Sequence, residues 1–401
     1  MIAGGGTGGH VVPALAIGRE LRDVHAAEVR FVGTARGLET RVVPEAGFRL
    51  ELVRSGQLKN VSLATRLRTL WDLPLGVLHC VRLLREFRPQ VVVGVGGYAS
   101  GPAMIAALLL RIPTLAYEPN AVPGMTNRLL GKRVSAAAVN FPQTASFFRN
   151  AQATGVPVRP EIFSLPSRPI GAPPRLLVTA GSQGAQVFNQ TMPRIAAALL
   201  SEVPQLSIMH QAGPRHTEAT RAAYAEGGAD PARWSVEAFL EDMPAQLAAA
   251  DLVLARSGST VAELAAAGKP SLLVPFPQAA DDHQLHNAMV LAKAGAAVVL
   301  LQREVTDATL LRELTELLRD APRRQAMAEA ARSLAKPGAL QRRSSCVRRS
   351  PGRYSRCVQH SSARPSPCVR STLERHSCVQ RSPARPWCCV LSSSARRVTR
   401  H

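Results

Sequence analysis

The segment GGGTGGH at residues 4–10 separates a short apolar stretch from an amphipathic one, and two similar segments follow it along the chain. They are GVGGYASGP at residues 94–102 and AGSQGA at residues 180–185. A glycine-rich turn between a strand and a helix lets the backbone approach an anion, and the unpaired N–H groups of the helix attract it. Three such turns predict two nucleotide-fold halves that face a phosphorylated ligand.

Short β-branched runs alternate with amphipathic stretches, a pattern typical of βαβ units and parallel sheets. A helix is predicted to begin near Pro13, because proline suits a first helical turn. The predicted strands cover residues 29–32, 91–95, 114–117 and 136–141 in the first half, and residues 176–179, 206–210, 252–255, 272–276 and 297–301 in the second. The predicted fold class is therefore α/β, with two Rossmann-like parallel-sheet domains that face a cleft.

Prolines between residues 155 and 174 interrupt any regular element and indicate a domain junction. We predict an N-terminal domain over residues 1–156, a C-terminal domain over residues 157–336 and a tail over residues 337–401. Three residues precede the first glycine-rich turn, so the first strand is expected to be nearly absent.

The tail differs from the rest of the chain in charge and composition. The formal net charge is +21, and residues 338–401 contribute 14 Arg and a single acidic residue, Glu374. Six of the seven cysteines also lie there, which leaves Cys80 in the body and no basis for a disulfide framework. Because it lacks apolar periodicity, the tail is expected to be disordered, and its abrupt start is typical of a gene read out of frame. A basic arm that binds nucleic acid is the alternative, but no nucleic-acid partner is expected.

Two classes of protein are disfavoured by the sequence. The longest apolar run, residues 103–110, is far shorter than the ~20 residues of a membrane-spanning helix, and no signal-peptide pattern opens the chain. A cytosolic location is expected. Gly4, Gly6 and Gly9 match G-x-G-x-x-G, but residues 31–34 lack the acidic residue that a dinucleotide dehydrogenase needs near the end of its second strand.

The order of the motifs resembles the MurG family of bacterial glycosyltransferases. The motifs are GGTGGH, GVGGYASGP, YEPN, AGSQGA, RSGSTVAELAAAG, and a Pro-Phe-Pro and Asp-Asp-His-Gln stretch that ends at Asn287 and Ala288. The resemblance covers residues 2–336 and implies the two-domain GT-B architecture. It also implies inverting transfer of GlcNAc from UDP-GlcNAc to the 4-hydroxyl of undecaprenyl-diphospho-MurNAc-pentapeptide. No cofactor is expected, and no metal is expected because the sequence contains no Asp-x-Asp pair.

The resemblance implies a set of donor-binding residues. Arg159 and residues 182–184 would hold the diphosphate, and Glu263 would hold the ribose hydroxyls. Leu240 would contact the uracil. The full set is Thr7, Gly8, Gly9, Asn120, Arg159, Ser182, Gln183, Gly184, Leu240, Glu263, Gln284 and Asn287. The chemistry agrees, since carboxylates suit vicinal diols, amides suit sugar hydroxyls and N–H groups suit phosphates. Glu263 as a solvated helix charge, and Gln284 and Asn287 as ordinary surface amides, stay open as alternatives.

The resemblance also implies catalytic and acceptor-binding residues. His10 is the predicted base, because an ordinary histidine pKa of ~6.5 suits proton transfer near neutral pH. Glu118 is the alternative base or an orienting carboxylate, and a helix-capping role for His10 stays open. The second turn would hold the diphosphate of the acceptor through Gly96, Gly97, Tyr98 and Ser100, with a simple tight turn as the alternative.

The polyprenyl chain of the acceptor implies contact with an anionic membrane surface, at the cytoplasmic face of the inner membrane. Residues 63–88 mix apolar and basic side chains, namely Leu67, Leu70, Trp71, Leu73, Leu75, Val77 and Leu78 with Arg66, Arg68, Arg82, Arg85 and Arg88. This pattern favours an interfacial patch, with an amphipathic helix packed on the sheet as the alternative. A UDP-GlcNAc 2-epimerase, another lipid glycosyltransferase and a nucleic-acid binder that uses its tail are the alternative functions.

Overall fold

The computed structural model describes residues 1–338 except residues 7, 36, 54, 56–62, 98, 167 and 170. The side chains of residues 63–71 and 280 are also outside this description. The predicted tail, apart from residues 337 and 338, therefore lies outside the described residues, as do Thr7 and Tyr98 of the predicted site.

Two parallel sheets form the framework, which confirms the predicted α/β class. The first has the strand order β3-β2-β1-β4-β5-β6-β7 and the second has the order β10-β9-β8-β11-β12-β13. The strands are β1 Ile2–Ala3, β2 Arg30–Gly33, β3 Arg49–Leu52, β4 Val92–Gly94, β5 Thr114–Glu118, β6 Ala136–Val139, β7 Ala151–Ala153, β8 Arg175–Thr179, β9 Ser207–Gln211, β10 Trp234–Glu237, β11 Leu252–Ala255, β12 Ser271–Leu273 and β13 Ala297–Val299.

Each of the nine predicted strands overlaps an observed one, and three observed strands, β3, β7 and β10, were not predicted. All three are edge strands with partly exposed side chains, so their sequences lack a buried apolar run. The first strand, expected to be nearly absent, is β1, which has two residues but pairs in parallel with both β2 and β4 at the centre of its sheet. The Met1 amino group extends this pairing by donating to the Val91 carbonyl oxygen at 3.0 Å.

Helices connect the strands and cover both faces of each sheet. They are α1 Gly8–Arg19, α2 Glu39–Glu45, α3 Leu63–Phe87, α4 Ser100–Leu109, α5 Met125–Leu130, α6 Gln186–Glu202, α7 Thr217–Glu226, α8 Met243–Ala249, α9 Thr260–Ala267, α10 His283–Lys293, α11 Asp307–Arg319 and α12 Ala321–Leu334. Four apolar clusters lie between helices and sheets, two in each half of the chain. Among the described helices, none combines the length and the apolar character needed to cross a membrane.

The predicted start of the first helix was wrong. Helix α1 begins at Gly8, so Pro13 lies inside the helix rather than in its first turn. Proline has no N–H, and the carbonyl of Gly9 therefore loses the hydrogen bond that residue 13 would otherwise donate. The glycine-rich segment itself forms the first helical turn, which brings His10 into the helix.

The segment between the sheets contains the predicted junction. The first sheet ends with β7 at Ala153 and the second begins with β8 at Arg175, with a short 3₁₀ helix, Pro160–Ser164, between them. Both sheets belong to one compact unit. A boundary after residue 156 stays a prediction.

Candidate functional site

The first two glycine-rich turns are in direct contact at the carboxyl ends of β1 and β4. A Cβ atom on Gly97 would lie 2.2 Å from the carbonyl oxygen of Gly5, so glycine is required for this approach. Gly97 also has a φ of 79°, which disfavours other residues. Adjacent parallel strands thus bring together two segments that are about 90 residues apart, as expected where ligands bind in open α/β sheets.

His10 lies on the first turn of α1 against the second glycine-rich turn. A Cβ atom on Gly96 would lie 2.7 Å from Cδ2 of His10, so the imidazole ring lies directly on this glycine. The pKa of His10 is lowered to about 4, mainly by burial and further by the charge of His283, while the charge of Glu39 opposes both. The imidazole is therefore neutral at physiological pH and chemically able to accept a proton.

Glu118, at the end of β5, uses both carboxylate oxygens to organise the following loop. Its Oε1 accepts from the main-chain N–H and the side-chain amide of Asn120, each at 3.0 Å. Its Oε2 accepts from the Gly124 N–H and from Asn127 Nδ2, again at 3.0 Å. Burial raises the pKa of Glu118, while these hydrogen bonds oppose the rise. Such contacts are those of an orienting carboxylate.

The loop that Glu118 organises contacts α10 of the second half of the chain. Asn287 Oδ1 accepts from the Ala121 N–H at 2.9 Å, and Asn287 Nδ2 lies 3.2 Å from both Asn120 Oδ1 and the Ser257 carbonyl oxygen. Asn287 is 2% exposed, which excludes the surface-amide alternative for this residue. Two predicted sugar-binding amides, Asn120 and Asn287, are therefore side by side and bonded to each other.

A second contact joins the same two regions. Arg128 on α5 pairs with Asp281 just before α10, with an Nη2–Oδ2 distance of 3.0 Å. Both Asp281 and Asp282 have left-handed backbone conformations, which are strained for residues other than glycine. The ion pair between Arg128 and Asp281 thus holds the start of α10 against α5.

Gln284 on α10 has a partly occupied amide. Its Oε1 accepts from the Ser257 N–H at 3.3 Å and from the Phe276 N–H at 3.1 Å. Within the part of the chain that the structure describes, its NH₂ group donates to no other residue and can be offered to a sugar hydroxyl.

Glu263 and Arg159 lie near each other, with 3.9 Å between Oε1 and Nη2. Glu263 is in the first turn of α9, and its side chain is 31% exposed. Burial raises the pKa of the carboxyl, and the guanidinium of Arg159 opposes that rise. The pair offers acceptors for hydroxyls beside a cation for phosphate.

The third glycine-rich turn leads into α6. Ser182 and Gln183 are exposed, and Ala185 at the N-cap provides α6 with no side-chain cap within the described residues. The N–H groups at the start of this 17-residue helix are thus suited to an anion. Leu240 is 6% exposed and belongs to an apolar cluster, so little of its side chain is accessible to a ligand.

The predicted acceptor-diphosphate residues lie at the start of α4. Gly96 and Gly97 form the turn, and Ser100 is the first residue of the helix. The Ser100 hydroxyl is buried, and its oxygen has no hydrogen-bond partner among the described residues. Gly8 and Gly9 open α1 nearby.

Sequence reasoning missed Glu39, the first residue of α2. Its carboxylate accepts from the Gly6 N–H at 2.7 Å and from the Thr34 N–H at 2.9 Å. An acidic residue was sought at residues 31–34, as in dinucleotide dehydrogenases, but it lies five residues beyond Thr34.

Comparison with known proteins places this arrangement in a class. Residues 1–139 match the glycosyltransferase family 28 N-terminal domain, and residues 175–342 match the glycosyltransferase family 28 C-terminal domain. With two parallel sheets and these two domains, the chain is a glycosyltransferase of GT-B architecture.

Individual relatives narrow the class to a family. A UDP-N-acetylglucosamine–N-acetylmuramyl-(pentapeptide) pyrophosphoryl-undecaprenol N-acetylglucosamine transferase of Solibacter usitatus is 44% identical over 345 residues, which cover 85% of this chain and 93% of the relative. The enzyme of the same name from Anaeromyxobacter dehalogenans is 47% identical over 348 residues, 85% of this chain and 90% of the relative. The crystal structure of Acinetobacter baumannii MurG is 32% identical with a TM-score of 0.73, covering 86% of this chain and 98% of that one. The chain belongs to the MurG family.

Proposed function

We propose that this protein transfers GlcNAc from UDP-GlcNAc to undecaprenyl-diphospho-MurNAc-pentapeptide, the lipid I to lipid II step of peptidoglycan synthesis. The observation that carries the proposal is the 44–47% identity, over 90% or more of their length, to transferases named for this reaction. A putative UDP-N-acetylglucosamine 2-epimerase from Listeria monocytogenes is 15% identical with a TM-score of 0.60, a likeness of fold alone.

In the proposed mechanism His10 is the base. The 4-hydroxyl of MurNAc attacks the anomeric carbon of GlcNAc from the side opposite UDP, and its proton passes to the neutral imidazole. The electron pair of the breaking carbon–oxygen bond leaves with UDP. Negative charge that develops on the diphosphate is stabilised by Arg159 and by the N–H groups at the start of α6.

Donor binding is proposed to use the amides and the carboxylate around α9 and α10. Glu263 accepts hydrogen bonds from the ribose hydroxyls, and Gln284 donates its NH₂ group to a GlcNAc hydroxyl. Asn287 Nδ2 donates to Asn120 Oδ1 and to the Ser257 carbonyl oxygen, each at 3.2 Å, so a sugar hydroxyl that accepts from this Nδ2 replaces one of these contacts. At this atom, binding exchanges one hydrogen bond for another instead of adding a new one.

The acceptor is proposed to approach along α3 and α4, at the cytoplasmic face of the inner membrane. Helix α3 packs on the first sheet through Cys80 and Leu84, while Leu78 and Leu109 are 66% and 68% exposed. Between α3 and α4 lies an open, mostly apolar depression of about 350 Å³. Arg82 and Arg85 are exposed on α3, so apolar and basic groups are both available to an anionic membrane surface. The side chains of Arg66, Leu67, Arg68, Leu70 and Trp71 lie outside the described residues.

The decisive experiment is a transfer assay with radiolabelled UDP-GlcNAc and lipid-linked MurNAc-pentapeptide. We expect a labelled lipid-linked disaccharide, formed in proportion to the acceptor. Formation of an epimerised UDP-sugar without acceptor would contradict the proposal and favour the epimerase alternative. The nucleic-acid alternative depends on residues 338–401, of which all but residue 338 are outside the described part of the chain.

Co-sedimentation with phosphatidylserine vesicles tests the membrane contact. Replacing Arg82 and Arg85 by Glu is expected to weaken binding by about tenfold or more, since each basic residue near an anionic surface contributes roughly 1 kcal/mol. The matched control replaces Arg194 and Arg312 by Glu, because both are exposed but lie on α6 and α11. Equal binding by the two charge-reversed variants would contradict the patch.

A further inference from the structure

Glu39 is a buried carboxylate that holds the first glycine-rich turn. It is 1% exposed, and its Oε2 accepts from the Gly6 N–H at 2.7 Å. Its Oε1 accepts from the main-chain N–H and the hydroxyl of Thr34, each at 2.9 Å. Burial tends to raise the pKa of Glu39, but the hydrogen bonds from Gly6 and Thr34 outweigh it and leave the pKa below its ordinary value. The carboxylate is therefore ionised, and three donors hold it.

The backbone around Glu39 is shaped to admit this side chain. A Cβ atom on Gly5 would lie 2.1 Å from Glu39 Oε1, and one on Gly37 would lie 1.9 Å from Oε2. Both positions therefore require glycine while Glu39 is in place. A side chain that merely fills space would not need two hydrogen-bonded oxygens in such a confined site.

The contacts continue from Glu39 through the turn to His10. Glu39 fixes Gly5 and Gly6 from one side, and Gly97 packs against the Gly5 carbonyl from the other. The His10 ring packs directly against Gly96, the neighbour of Gly97. Among the described residues, the charges of His283 and Glu39 act on the His10 imidazole, and Glu39 favours its protonated form.

We propose that Glu39 is a positioning residue for the transfer reaction, which fixes the first glycine-rich turn and thereby the location of the His10 ring. The inference rests on the proposed function, in which His10 accepts the proton of the acceptor hydroxyl. Glu39 touches neither substrate and acts through Gly6 and the two packed turns. Its loss therefore affects turnover more than donor binding.

The test is steady-state kinetics of Glu39→Gln with UDP-GlcNAc and the lipid-linked acceptor. The amide keeps the size of the side chain but places an NH₂ group against an N–H donor, so one of the two backbone contacts is lost. We expect kcat to fall by about tenfold or more while the KM for UDP-GlcNAc changes by less than about twofold. A wild-type kcat in this variant would overturn the proposal.

Two control variants separate positioning from general stability. Thr34→Val removes the hydroxyl bonded to Glu39 but leaves the Gly6 contact, and Glu45→Gln changes an exposed carboxylate on the same helix. Both are expected to keep kcat within about twofold of wild type. If Thr34→Val and Glu39→Gln lowered kcat equally, in step with their melting temperatures, Glu39 would have a structural role alone.

If Glu39→Gln did not fold, Glu39→Asp would supply the test, since it keeps the charge but is one methylene too short to reach both donors. A folded Glu39→Asp with wild-type kcat would overturn the proposal.

A measurement without turnover keeps the two proposals distinguishable. The NMR signals of the His10 imidazole in the free protein are expected to shift in Glu39→Gln and to stay in place in Thr34→Val. Unmoved signals would overturn the positioning role even if transfer activity were present. Conversely, shifted signals in a protein that transfers no GlcNAc would contradict the proposed function and leave the link between Glu39 and His10 intact.

Discussion

The first and third glycine-rich turns look alike in sequence but use their backbone N–H groups differently. In the first turn the Gly6 N–H is already bonded to the buried carboxylate of Glu39 at 2.7 Å. In the third turn Ser182 and Gln183 are exposed, and the described residues supply no side-chain cap to α6. The first turn is therefore held by a buried side chain, whereas the third leads into a helix without such a cap. We propose that the first turn positions the neighbouring histidine and that the third binds the anion.

Removing His10 tests the catalytic half of this comparison and has the largest expected effect. Replacing His10 by Ala should lower turnover by ~10²-fold or more, because it removes the proposed general base. The affinity for UDP-GlcNAc, measured by calorimetry, should stay nearly unchanged and serves as the internal control. Unchanged turnover would remove His10 from this role.

Distorting the third glycine-rich turn tests whether this turn binds the anion. Gly184 has a φ of 69°, and a Cβ atom there would lie 1.9 Å from the Ala212 carbonyl oxygen. Gly184→Ala should therefore displace the start of α6 and weaken UDP binding by about tenfold, which corresponds to about 1.4 kcal/mol. Gly181→Ala is the matched control, since Gly181 has a similar φ of 74° but open space at its Cβ position. The comparison would fail if the two variants bound UDP equally well.

The pH dependence of kcat/KM tests whether His10 acts as a base with a lowered pKa. The expected result is that protonation of His10 causes no loss of activity between pH 7 and 5. A base works in its unprotonated form, and burial lowers the pKa of His10 from an ordinary 6.5 to about 4. Protonation of His10 should therefore not reduce kcat/KM as the pH falls from 7 to 5, and the loss should begin nearer pH 4. A kcat/KM profile that falls between pH 7 and 5, and that keeps this step in a His283→Ala variant, would contradict a His10 base with this lowered pKa.

The sequence predicts the framework well because buried parallel strands carry a strong local signal. The runs LLV of β8 and LVLA of β11 are apolar and buried, and both strands are where they were predicted. The edge strand β3, with sequence RLEL, has no such run because its side chains are partly exposed. The start of the first helix was predicted wrongly because proline is usually found in the first turn of a helix. Here α1 begins earlier, at Gly8, and Pro13 lies inside it.

The site is harder to predict, since its decisive contacts join residues far apart in the chain. Gly6 and Glu39 are 33 residues apart, and Asn120 and Asn287 are 167 apart. The residue types limited the candidates for sugar binding, because amides and carboxylates suit sugar hydroxyls. They did not indicate that Asn120 and Asn287 bond to each other. Nor did they indicate that Glu118 accepts four hydrogen bonds from residues 120–127. The roles of the predicted site residues stay predictions.

The paired amides of Asn120 and Asn287 have a consequence for inhibitor chemistry. Both N–H groups of the Asn287 side-chain amide are already donated, to Asn120 Oδ1 and to the Ser257 carbonyl oxygen. A hydrogen-bond acceptor aimed at Asn287 Nδ2 gains little, because each bond that it forms replaces an existing one. Compounds that leave this amide pair intact, and instead address the exposed start of α6, should gain more affinity per atom.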